Sequence, residues 1–472
     1  MSENKVVKAG LGYTIGNILL KGINFLSVPL FSRIMTTEEF GVYNVFASYD
    51  AIIYMFVGLA LHSSVKNADI KFEDKTDDYV SSISLIYLIN TALFFIIVAV
   101  FERQLTDWLD FPSIVLFAMI LYSFGTSIIT LYNNRISLQY AYKKYLIIAG
   151  INSIGNISFS LILMLTVFRN RHELGRILGS TAIIFSLAII VLFSMYRKAR
   201  PRFNLEYWKY GIKYSLPIIP HGLSQVILSQ VDRIMICSIV SGSAAGIYSL
   251  AGNVQLILTI ISDSIITVWV TWFYERMKDS DEKSIQKRSI SLVILFMIMV
   301  IGVLAIAPEA IFILGGTKYD SAKYVVIPMI LSAFMIFLYN VIVPSEYYTE
   351  KTLYIMGGTI IAAVINLIGN YVFITQYGYI AAAYTTLFSY VCYVLLHAII
   401  SYKLVKFHVI PLSKLLLIVL IVVACAVIDI VFINHILIRY LMGGLVICSA
   451  LLVLVKDNNI DIRSNIKDRL YK

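Results

Sequence analysis

Residues 32–43 read SRIMTTEEFGVY, and residues 232–248 read DRIMICSIVSGSAAGIY. Arg33-Ile34-Met35 meets Arg233-Ile234-Met235 and, across a small gap, Gly41-Val42-Tyr43 meets Gly246-Ile247-Tyr248. Working outward, Lys8, Gly10, Tyr13 and Thr14 line up with Lys209, Gly211, Tyr214 and Ser215. The chain writes its opening passage twice. Both copies are apolar and long enough to cross a bilayer. A duplicated membrane half, in the same orientation each time, is how many transporters build two lobes that rock about a central site.

Composition agrees. Apolar residues make up 59% of the 472 residues and charged residues 14%, with a mean hydropathy of +0.82. A soluble protein sits near roughly 45–50% and about 25%, so these values describe an integral membrane protein. Runs such as LFFIIVAVF and LVILFMIMVIGVLAIA are solidly apolar. A transmembrane barrel would alternate, so the spans are helices, which satisfy their own backbone hydrogen bonds in lipid. The fold class expected is all-α with about fourteen spans, near 10–32, 41–63, 80–101, 112–132, 145–168, 174–195, 211–240, 246–272, 289–314, 323–345, 352–374, 378–401, 413–433 and 436–455. The first span is too long, and too polar at Asn17 and Lys21, for a cleaved signal peptide. The repeat divides the chain into a six-helix lobe at 1–208, a second at 209–408, and an appended helix pair with a tail at 409–472. The basic stretch 196–210, YRKARPRFNLEYWKY, is the natural linker, and its charges suit an anionic leaflet surface.

An even span count puts both termini on one side, and Lys and Arg choose which. Of 38 such residues, 28 fall on the side of the termini and 8 on the other, with Lys21 and Arg233 inside spans. Both termini are expected in the cytoplasm. The formal charge of +10 is then mostly this bias, and no nucleic-acid partner is needed to explain it. Cys237, Cys392, Cys425 and Cys448 all fall inside spans without metal-ligand spacing, and read as small apolar fillers.

Two motifs resemble chemistry without its context. Gly10-Leu11-Gly12-Tyr13-Thr14-Ile15-Gly16 has the look of a nucleotide loop but follows no strand, so close helix packing explains it. Asp279-Ser280-Asp281 looks like an acidic metal pair but sits in a mixed-charge connector. No Walker A loop, HExxH or G-x-S-x-G occurs.

The informative polar residues lie at helical spacing inside spans. Tyr13, Asn17, Lys21 and Asn24 form one stripe on span one; His221, Gln225, Ser229 and Asp232 repeat that spacing on span seven. Span two carries Asp50, span eight Asp263, and span eleven Asn366 and Asn370. A charge near mid-bilayer costs at least about 2.5–3.5 kcal/mol, so it should face a wet cavity or a partner. Helix-to-helix hydrogen bonding is the competing explanation for each. Spans one, two, seven and eight are equivalent in the two repeats, and a central cavity between lobes accounts for their stripes economically.

Three passages together resemble the Wzx-type polysaccharide flippase branch of the multidrug/oligosaccharidyl-lipid/polysaccharide (MOP) exporter superfamily. They are Ser32–Tyr43, then Asp232-Arg233-Ile234-Met235-Ile236 with Ala245-Gly246-Ile247-Tyr248-Ser249-Leu250-Ala251, then Asn366…Asn370…Ile374 with Tyr377-Gly378-Tyr379-Ile380-Ala381-Ala382-Ala383. Ala381 stands where Gly is usual. The resemblance implies a MATE-like fold, not an enzyme, in a bacterial cytoplasmic membrane. Its cargo would be undecaprenyl-pyrophosphate-linked oligosaccharide, moved by alternating access, with membrane lipids and other polysaccharide assembly proteins as partners. Lys21, Asn17, Asn24, Tyr13, His221 and Gln225 become substrate-binding candidates. Asp50, Asp232, Asp263, Asn366 and Asn370 become candidates for a coupling sodium ion or proton, and no cofactor is expected. A multidrug exporter would share the fold but carry a more acidic and aromatic cavity without a mid-membrane lysine. A membrane glycosyltransferase or polymerase should show a sizeable outward loop, and every outward loop here is short.

Reporter fusions at Lys198, at Lys283 and after the carboxyl terminus should all report cytoplasm, and an external signal from any of them overturns the topology.

Overall fold

The computed structural model describes residues 3–457, without the side chains of residues 3–11, 14, 17, 18, 74 and 457. All regular structure among the described residues is helical, and the chain forms two compact units, Met1–Gly246 and Ile247–Lys472.

The first unit holds α1 (Glu3–Ile34), α2 (Thr37–Gly58), α3 (Val65–Phe72), α4 (Thr76–Val100), α5 (Glu102–Leu109), α6 (Ser113–Leu138), α7 (Tyr142–Thr166) and α8 (His172–Lys198). It also contains α9 (Leu205–Ser215) and α10 (Ile218–Ile239), and α11 (Gly242–Lys278) begins in it. In the second unit follow α12 (Glu282–Ala305), α13 (Ala307–Gly315), α14 (Lys323–Ile342), α15 (Pro344–Tyr348) and α16 (Thr352–Tyr377). The last three helices are α17 (Tyr379–Val405), α18 (Leu412–Val431) and α19 (Ile436–Asp457).

Among the described residues, twelve stretches have the length and apolarity to cross a bilayer. Helices α1 and α10, which cover expected spans one and seven, have the length as well. The protein is a multi-pass membrane protein. At the centre of the first unit stands α6, packed against α2, α4 and α8. In the second unit the stretch Thr317–Tyr348, which contains α14, is 89% enclosed, where the carboxyl-terminal helix is only 17% enclosed and turns its side chains outward.

Two spans are not the single helices expected. Span seven breaks between Ser215 and Ile218, so α9 and α10 are separate. Pro217 and Pro220 lack the N–H groups that would carry the ladder through this point. Span nine breaks into α12 and α13, with Pro308 at the start of the second piece, where a missing N–H costs nothing. Two connectors between spans, residues 64–79 and 273–288, are also ordered. The first contains α3, and the second shrinks to a three-residue connector between α11 and α12. In that connector Asp281 accepts from Ser284 N–H (3.1 Å) to cap α12, and Asp279 pairs with Arg276 at 3.4 Å, so the acidic pair is structural.

The repeated passage has a local logic. Thr36 and Glu39 close a capping box at the start of α2: Thr36 Oγ1 accepts from Glu39 N–H (3.1 Å), and Glu39 Oε2 accepts from Thr36 N–H (2.7 Å). The other Glu39 oxygen accepts from His172 N–H at 2.9 Å and fastens α2 to α8. The two aligned glycines then meet each other. A Cβ on Gly41 would strike the Gly242 carbonyl oxygen, and a Cβ on Gly246 would strike that of Thr37. Each blocking oxygen lies four residues before the other glycine. Thr37 Oγ1 and Ser243 Oγ sit 2.6 Å apart beside this crossing. Gly12 and Gly16 lie against the side chains of Tyr142 and Leu146 on α7, so the glycine-rich start of α1 is a packing surface.

Candidate functional site

The stripe on α1 divides. Tyr13 faces α7, with its ring centroid 5.2 Å from Tyr145 and 6.5 Å from Tyr142. Lys21 and Asn24 are exposed on the same helix, and the side chain of Asn17 lies outside the described residues. Helix α1 thus has a packing edge near its start and an exposed lysine further along.

On α10, His221 and Gln225 are half-buried and Asp232 is buried. Its neighbour Arg233 donates to Gln230 Oε1 (2.9 Å) and to the Ser229 carbonyl (2.8 Å), and Gln230 Oε1 also accepts from Ser48 on α2 at 3.4 Å. Gln230, which Arg233 also contacts, thus ties α10 to α2. Asp50 on α2 points away from that contact into the interior of the unit, where its carboxylate accepts from Ser123 Oγ of α6.

In the second unit Asp263 is exposed on α11. Asn366 and Asn370 are fully buried one turn apart on α16. Asn366 donates to Thr386 Oγ1 (2.9 Å), Asn370 donates to Asn366 Oδ1 (3.2 Å), and Thr385 donates to Asn370 Oδ1. Four oxygen-bearing groups therefore converge between α16 and α17. Amide and hydroxyl oxygens are hard donors of the kind a small cation prefers. Each of the two amide oxygens accepts one of these bonds. Among the described residues no three His, Cys, Asp or Glu side chains cluster as a metal site.

Three buried charged groups escaped sequence reasoning. Arg176 on α8 stacks on Phe31 of α1 (3.7 Å to the ring centroid) and on Tyr43 of α2 (4.8 Å), and donates to Asn156 (2.7 Å) and Ser160 (3.2 Å) of α7. Arg439 on α19 pairs with Glu309 of α13 at 2.5 Å. Glu346 on α15 and His397 on α17, both fully buried, meet at 2.8 Å from Oε1 to Nδ1, inside a wall of Tyr339 and Tyr393. The signal for this last pair was present: one histidine in an otherwise apolar run, VLLHAII, and one glutamate just past the end of another.

A family described as polysaccharide biosynthesis protein matches residues 6–277. The chain belongs to that family. One relative, described as a "probable low-salt glycan biosynthesis flippase" of Haloferax volcanii, is 22% identical over 426 residues, 85% of each chain. The fold is similar to that of the lipid II flippase MurJ in an inward closed conformation, with a TM-score of 0.72 at 16% identity, covering 94% of this chain and 99% of that one. It is similar also to an inward-facing multidrug resistance MATE transporter of the MOP superfamily, with a TM-score of 0.65 at 12% identity over 82% and 94% of the two chains. The polysaccharide biosynthesis family and the MOP fold are those the three sequence passages pointed to.

Removing one partner of a buried pair strands the other, at a cost of about 3–5 kcal/mol, whereas replacing both by apolar side chains is often close to neutral. Glu346→Leu alone should therefore lower the melting temperature in detergent sharply, and Glu346→Leu with His397→Phe should recover most of the loss.

Proposed function

We propose that this family member is a flippase that moves polyprenyl-pyrophosphate-linked oligosaccharide, with undecaprenyl as the carrier, from the inner to the outer leaflet of a bacterial cytoplasmic membrane. It works by alternating access and serves surface polysaccharide biosynthesis. The lobes are 1–208 and 209–408, with 409–472 appended, and both termini are cytoplasmic. Support comes from the family match, from the full-length likeness of fold to a lipid II flippase, and from the name of the Haloferax relative.

The observation that carries the reading is Lys21. It sits about 16–20 Å along α1 from the start of the span, at a rise of 1.5 Å per residue, and its side chain is exposed. A cationic side chain carried inside a span is a candidate contact for an anionic ligand. A pyrophosphate is such an anion, while Asn24, His221 and Gln225 offer the donors and acceptors that sugar hydroxyls take. The lipid chain stays outside in the bilayer. The reading is of a carrier with no bond-making step, so it calls for no catalytic residue.

For the coupling ion, the Asn366, Asn370, Thr385 and Thr386 oxygens favour sodium over a proton, and Asp232 is the carboxylate candidate in the other unit. Asp50 is less suited, because its carboxylate is engaged with Ser123 in the interior of its unit.

Lys21→Ala should abolish export of lipid-linked glycan while leaving protein levels normal, and Lys21→Arg should keep part of it; unchanged export in the alanine variant sinks the assignment. In reconstituted vesicles with sodium and pH gradients imposed separately, flipping should follow the sodium gradient, and Asp232→Asn should uncouple it. Flipping that ignores both gradients makes the Asn and Thr cluster purely structural.

A further inference from the structure

The stretch between the two copies of the repeat is more than a tether. Asn204 caps α9 by accepting from the Glu206 and Tyr207 N–H groups at 3.0 and 3.2 Å. Tyr207 is buried in the core of the first unit, and Trp208 Nε1 donates to the Ser82 carbonyl of α4 at 3.0 Å. Tyr207 and Tyr210 both stand edge-on to Phe72 at the end of α3, at 4.7 and 5.3 Å between ring centroids. Asn67 of α3 donates to Tyr214 Oη at 2.7 Å. Helix α9 is therefore clamped on α3 and α4 by an aromatic floor, and side chains on its outer face have fixed starting points.

Between α3 and α9 lies a cavity of about 530 Å³ lined by Lys71, Glu206, Lys209, Tyr210, Lys213 and Tyr214. Lys71 reaches over the Tyr210 ring at 4.4 Å. Lys209 and Lys213 are four residues apart, so they share one face of α9. All three lysines are exposed. Around them Phe203, Leu205 and Leu216 also point outward, 67%, 66% and 57% exposed, the pattern of a helix lying in the headgroup layer. Three ammonium groups against one carboxylate leave the cavity doubly cationic. A diphosphate diester, with one ionised oxygen on each phosphorus, matches that charge; an ordinary phospholipid, with a single ionised phosphate, does not. Positive-inside bias alone spreads cations along loops. It does not gather three of them, from two elements, around one phenol-walled cavity.

We propose that α3 and α9 form a docking site for the diphosphate headgroup of a polyprenyl lipid at the membrane surface, a loading station ahead of the transport path. It rests on the reading above that such a lipid is the cargo and that this side faces the cytoplasm. The lysines neutralise the two phosphates, the phenols of Tyr210 and Tyr214 donate to their oxygens, and the apolar rim keeps the lipid chain in the leaflet.

The test is binding, and needs no turnover. Full-length protein in zwitterionic nanodiscs is titrated with polyprenyl diphosphate, polyprenyl monophosphate and phosphatidylglycerol. Wild type should prefer the diphosphate to phosphatidylglycerol. Lys71→Gln, Lys209→Gln and Lys213→Gln combined should weaken diphosphate binding by about tenfold to hundredfold, since each surface lysine near anionic headgroups is worth up to about 1 kcal/mol. Lys143→Gln with Lys144→Gln, on the same side of the membrane, should leave binding unchanged. Wild-type affinity in the triple variant overturns the site. Equal affinity for phosphatidylglycerol overturns its specificity and leaves only an interfacial helix. If the wild type binds diphosphate here yet moves no lipid-linked glycan, the transport reading fails and this site stands; if it moves glycan while the triple variant binds normally, this site alone fails.

Discussion

Hydrocarbon offers no hydrogen bonds, and the whole molecule is arranged around that fact. Every polar group carried into a span must bring its partner, meet one on another helix, or face water. Arg176 is answered by Asn156, Ser160 and two aromatic faces, Asp50 by Ser123, Arg439 by Glu309 and Glu346 by His397. These matched groups hold helices in register. Lys21 and Asp263 are charged and exposed on long helices, α1 and α11.

Much of this was legible beforehand. Long apolar runs have one solution in lipid, so span number and helical class follow from counting. What periodicity fails to report is which face of a stripe meets a neighbour. Tyr13 and Lys21 fall on one polar arc of α1, yet Tyr13 turns to α7 and Lys21 outward. That choice belongs to α7, and nothing local to α1 encodes it. The Asn366 and Asn370 pair was readable because both partners repeat at helical spacing. Glu346 and His397 each stand out as a lone polar residue at an apolar run, but no spacing pairs two positions fifty-one apart.

The break at Pro217 shows how little sequence is needed to change a segment's role. Without it, α9 would continue α10 into the bilayer. With it, eleven residues form a separate helix packed against α3 and α4. A polar turn of span seven in the sequence becomes, in the structure, a surface helix with its own aromatic floor.

The crossing of Gly41 and Gly246 carries a different consequence. Each glycine is blocked by the backbone of the other's preceding turn, so the contact maps onto itself when the two copies are exchanged. Such an isologous patch does not depend on a covalent link. A half-length chain bearing one copy of the passage would present a surface complementary to itself, and two such chains could have paired through it as a homodimer. Fusion of the halves would then have kept an interface already in use. It would also have freed the two glycines from being encoded by one codon, while leaving each unable to gain a side chain on its own.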